Sequence, residues 1–115
     1  MLVRKGSRIV RTEASVPGDA DIDMAKGMVI VVKNTRSLYN QMMNLVNNLV
    51  IKSSKGTELN VDRLSSSSVI DQMVRDALKE YARLSGDRTV ISTATRRAAK
   101  KELADYILAL VDDRI

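Results

Sequence analysis

From Thr35 onward, apolar positions recur every three or four residues. Leu38, Tyr39, Met42, Met43, Leu45, Val46, Leu49 and Val50 share one face at helical spacing, and Asn40, Gln41, Asn44, Asn47 and Asn48 take the other. Residues 52–56, Lys-Ser-Ser-Lys-Gly, are basic and turn-forming and end this helix. A second stripe runs through Ile70, Met73, Val74, Ala77, Leu78, Tyr81 and Leu84, and Gly86 follows where a helix C-cap glycine belongs. Val61 and Leu64 lie ahead of a four-serine run, residues 65–68, and project to the opposite side of the same ideal helix. Two readings are open. The helix starts at the serines, which are good N-caps, or it is longer and buries different faces along its length. After a short β-branched connector, residues 88–91, Ser92 or Thr93 can cap a last helix. Its stripe is Ala98, Ala99, Leu103, Tyr106, Ile107 and Leu110, with Arg96, Arg97, Lys100 and Lys101 to one side.

The first third of the chain is patterned differently. Ahead of Pro17, the only proline, Arg4, Lys5, Arg8 and Arg11 against Glu13 read as a basic arm. Asp19, Asp21 and Asp23 form a short acidic stretch, and Gly27 opens the run 28–32, Met-Val-Ile-Val-Val, whose β-branched character suits a strand or a tucked extended segment. The expected organisation is therefore a basic N-terminal arm over residues 1–34 and a helical domain over residues 35–115, all-α in class.

Composition narrows the chemistry. A chain of 115 residues is long enough for one modest core. Its net charge of +5 favours a polyanionic partner. Histidine and cysteine are absent, which removes the commonest general base, thiolate nucleophiles and the usual zinc ligands. The serine run thus has no base to activate it, and Lys55-Gly56-Thr57 lacks the upstream glycine of a phosphate-binding loop. Non-enzymatic function with no metal, no cofactor and no small-molecule substrate is expected. The only aromatics are Tyr39, Tyr81 and Tyr106, too few to build a stacking platform for single-stranded bases. The longest apolar run, residues 28–32, is far too short to span a membrane, so no membrane partner and an intracellular location are expected. A core of aliphatic residues alone is thin, and burial against a second chain is one remedy. The residues expected at such a dimer interface are Val61, Leu64, Met73, Ala77 and Tyr81.

Two basic loops frame the central helix: Lys52 and Lys55 before it, Arg88 and Thr89 after it. In an antiparallel pair of chains, the first loop of one would lie beside the second loop of the other, forming one phosphate-binding edge. The stretch 82–90, Ala-Arg-Leu-Ser-Gly-Asp-Arg-Thr-Val, resembles the end of the central helix and second loop of the core histones. Ser37-Leu38-Tyr39 is similar to the opening of their first helix, and Glu102-Leu103-Ala104 to the extra C-terminal helix of histone 2B. The resemblance covers about two-thirds of the chain. It implies a short–long–short helical fold with a C-terminal extension and an obligate homodimer or heterodimer with another histone-fold chain. It further implies sequence-independent binding and compaction of double-stranded DNA in chromatin, a virion or a nucleoid. Arg88 would then enter a minor groove and Thr89 contact phosphate. Lys52, Lys55, Lys33, Arg36, Arg4, Lys5, Arg8 and Arg11 complete the expected DNA-binding set. The arm is less lysine-rich than a eukaryotic histone tail, and Arg96 and Arg97 stand where apolar residues are usual. Two alternatives are a ribbon-helix-helix DNA binder, with residues 28–32 as its strand, and a phage-type structural adaptor with no nucleic-acid role.

Overall fold

A computed structural model describes residues 19–86 and 92–115 of the chain. All regular structure among them is helical: α1 (Asp19–Asn34), α2 (Arg36–Ser54), α3 (Val61–Ser65), α4 (Ser68–Ser85) and α5 (Thr93–Asp112). Helix α5 is the hub, packing against each of the other four. Its apolar side is unusually small-featured: Ala98, Ala99 and Ala104 alternate with Leu103, Ile107 and Val111, all buried. Short side chains let neighbouring helices approach closely on several sides of one helix.

Residues 28–32 are helical and belong to α1. The expected boundary at residue 34 therefore moves: the segment from Asp19 onward is part of the packed domain, and the arm residues Arg4, Lys5, Arg8 and Arg11 lie outside the described residues. Ala25, Met28, Val29 and Val32 follow one another at spacings of three, one and three, and all are buried in the single core cluster. Burial on that face overrides the strand preference of the β-branched run. The flanking charges agree with a helix, since Asp21 and Asp23 lie towards its positive N-terminal end and Lys33 in its last turn. With no strand at residues 28–32, the ribbon-helix-helix alternative loses the element it depended on.

The serine run breaks the chain into two helices. The Ser65 and Ser66 hydroxyls donate to the Asp62 carbonyl at 2.9 and 3.0 Å, finishing α3. One residue later, the Ser67 hydroxyl accepts from the Ile70 amide at 3.2 Å and caps α4. The change of direction places Leu64 and the Ile70–Met73–Val74–Ala77–Leu78 face in the same core. The premise for a dimer interface falls with it. Leu64, Met73 and Ala77 are buried within the chain itself, Val61 packs against the same cluster, and Tyr81 lies across α1 at Gly27. The four long helices have 16, 19, 18 and 20 residues, so no single helix dominates, and α5 is one continuous rod where a third helix plus an extension was expected.

Ends expected from sequence form as local rules dictate. Gly56, at φ +90°, closes α2: its amide reaches the Ser53 carbonyl, and the Thr57 amide reaches that of Lys52. Gly86, at φ +75°, closes α4 with its amide on the Ala82 carbonyl. Ser92 rather than Thr93 caps α5, accepting from the Thr95 amide at 3.0 Å.

Candidate nucleic-acid interface

The expected phosphate-binding residues do not form one edge. Arg88 and Thr89 lie outside the described residues, as does the basic arm. Lys33 and Arg36 flank the sharp α1–α2 corner and share a shallow depression with Asn34, Tyr39 and Asn40. The Lys33 ammonium sits 5.2 Å from the centroid of the Tyr106 ring, so its charge is held against α5. Lys52 and Lys55 are exposed at the far end of α2, where Lys52 borders an apolar crevice between α2 and α3. Sixteen residues of helix separate Arg36 from Lys52, about 24 Å along the axis. These are two separate small basic sites.

The densest cationic group is elsewhere. Arg75 from α4 and Arg96, Arg97 and Lys100 from α5 line one cleft of about 300 Å³, together with Ser65, Ser66, Asp71 and Thr93. The sequence already shows three of the four cations side by side, but on one flank of an amphipathic helix, where a solvated face is the simplest expectation. Arg75 lies a loop away in sequence. Only the packing of α4 along α5 brings the two sets together.

Within the cleft, Asp71 pairs with two of these cations. Asp71 receives Lys100 Nζ on Oδ1 at 2.6 Å and Arg75 Nε on Oδ2 at 2.8 Å. The hydrogen bonds from Lys100 and then Arg75 hold the Asp71 carboxyl below its ordinary value, working against its partial desolvation. Arg96 lies one helical turn from Lys100. Its Nε is buried, and no described residue accepts its proton. A desolvated guanidinium N–H without an acceptor is costly, because its lost hydration is not replaced. The serine hydroxyls at the rim are already committed to the Asp62 carbonyl.

The start of α5 is fixed by a short relay. Ser92 Oγ donates to Thr95 Oγ1 at 2.8 Å, and Thr95 Oγ1 donates to Asp21 Oδ1 at 2.8 Å. Thr95 is 1% exposed, so this pairing ties the start of α5 to the start of α1 through a satisfied buried hydroxyl. Elsewhere on α4, Arg83 is taken up by Glu80, whose carboxyl is lowered chiefly by hydrogen bonding from that guanidinium. No group of acidic side chains able to hold a metal ion occurs among the described residues. No described helix is long and apolar enough to cross a membrane.

Comparison with known proteins finds no matching family model, no matching curated protein and no matching solved structure.

Proposed function

We propose that this chain is a non-enzymatic binding protein that engages the phosphate backbone of duplex DNA without reading its bases. The observation that carries the reading is the convergence of Arg75, Arg96, Arg97 and Lys100 from two helices onto one cleft. Clustered guanidinium and ammonium groups in a chain of net charge +5 suit a polyanion, and phosphate contacts of this kind carry affinity without sequence information. The lesser basic sites at Lys33–Arg36 and Lys52–Lys55 would extend the contact area. The absence of histidine and cysteine from the sequence favours binding over catalysis. The core-histone resemblance points to the same partner. A histone-type pairing of chains has less support, because Leu64, Met73 and Ala77 of the proposed interface are already covered by the chain's own core.

The test is fluorescence anisotropy of a random-sequence duplex against the full chain over a series of salt concentrations. Binding should weaken steeply with salt and be indifferent to sequence, and each phosphate contact removed should flatten the log–log slope by about 0.9. Arg97→Ala should reduce both affinity and slope. Arg114→Ala, at the exposed end of α5, removes the same charge and should have the smaller effect. Equal losses from the two substitutions, or no binding at low salt, would overturn the reading.

A further inference from the structure

We propose that the surface where the ends of α2 and α5 meet the loop 57–60 is a two-fold interface between two copies of this chain, with the basic crevice of each copy against the acidic cleft of the other.

Two depressions adjoin there. The first lies over Leu49 and Leu64 and carries Lys52 and Arg63, with Glu58 as its one acidic side chain. The second runs along the end of α5 and carries Asp105 and Asp112, with no cationic side chain in its lining. Leu59 and Leu108 line both, so the two form one continuous surface with an apolar middle. Both leucines pack against the core and remain partly exposed. Ile115 extends the apolar part and is 67% exposed. The flanking charges are uncommitted. Lys52, Arg63, Asp105 and Asp112 are all exposed, and none of their side chains forms an ion pair or hydrogen bond within the chain.

This arrangement selects the occupant. A rim of one sign would leave the partner's identity open. Positive charge on one side of an apolar middle and negative charge on the other is complementary to itself after a half-turn, as an isologous pair requires. With the axis beside Leu59 and Leu108, these leucines of the two copies cover one another. Lys52 and Arg63 of each copy then face Asp105 and Asp112 of the other. Apolar contact supplies affinity, and the opposed charges fix the register and exclude wrong partners. The pairing differs from the one expected from sequence, whose Leu64, Met73 and Ala77 are buried in the core. It is also independent of the DNA reading, since none of Arg75, Arg96, Arg97 and Lys100 lines either depression. Lys52 alone would serve the pair in place of DNA.

Sedimentation velocity of the full chain over a concentration series is the test. The mass should rise from that of one chain towards that of two. Lys52→Glu with Arg63→Glu sets acid against acid across the pair and should weaken self-association by about tenfold or more. Asp105→Lys with Asp112→Lys sets base against base and should do the same. An equimolar mixture of the two variants should associate again, because the new glutamates then meet the new lysines and the native charges meet each other. Unfolding cannot imitate that rescue. Lys52→Gln with Arg63→Gln, milder for the fold, should weaken association in smaller measure, with helicity at 222 nm unchanged. A wild-type chain that keeps the mass of one chain throughout, reversed variants that associate as the wild type does, or folded variants that fail to associate on mixing would each refute the interface.

Discussion

Gly27 sits in the interior of α1, where glycine costs about 1 kcal/mol relative to alanine. The fold gives the reason for its presence. A Cβ there would stand 3.0 Å from Tyr81 Cε1 and 3.2 Å from its Oη, so the missing side chain is what lets the ring lie across the helix. Two opposing effects meet in Gly27→Ala: better helix propensity and an overpacked contact costing about 1–3 kcal/mol. The contact should win, leaving the variant less stable by about 1 kcal/mol in urea unfolding. In a Tyr81→Ala background the ring is gone, and the same change should stabilise by about 1 kcal/mol. An effect of the same sign in both backgrounds would mean that Tyr81 does not pack on Gly27.

Among the elements, the α3–α4 break is the one on which the domain's shape turns. Four consecutive serines are ambiguous in sequence, since any of them can cap or simply face solvent. In the structure they divide the work: Ser65 and Ser66 close α3, and Ser67 opens α4. Ser67→Ala should cost about 1 kcal/mol, the scale of a lost N-cap. Ser68→Ala, one residue into the helix and exposed, should fall within about 0.5 kcal/mol of wild type. Thermal unfolding of the pair decides between them, and equal destabilisation would remove Ser67 from the capping role. The ends of α2, α4 and α5 were legible beforehand because each is a local device of a few residues: Gly56, Gly86 and Ser92. Helix α1 was not, because its β-branched run favours a strand locally and only burial of every third or fourth residue decides otherwise.

For the molecule as a whole, the consequential difference from a histone-like design is that one chain covers its own central apolar surface. Leu64 shows the contrast. On a continuous central helix it would face a partner chain; after the break at Ser66 and Ser67 it is buried in the cluster that contains Leu49, Ile70 and Leu103. Leu64→Asp places a carboxylate there at a cost of several kcal/mol, comparable to a large part of a small domain's stability. The variant should lose helicity at 222 nm with a midpoint independent of protein concentration. A folded chain of half the wild-type mass in light scattering would instead put Leu64 at an interface between chains.

Sequence alone determined what is local: the apolar stripes of α2, α4 and α5, the glycine and serine signals at their ends, the excess of positive charge, and the lack of histidine and cysteine. A stripe tells a helix which face to bury but not against what, because its spacing constrains only neighbours within a few turns. Docking therefore decided the rest. It turned residues 28–32 into part of a core helix, brought Leu64 and the α4 stripe into one core across a serine break, and set Arg75 beside Arg96, Arg97 and Lys100. Arg75 lies more than twenty residues before the other three in the chain. Their convergence arises from the packing of α4 against α5, a long-range contact that no local pattern encodes.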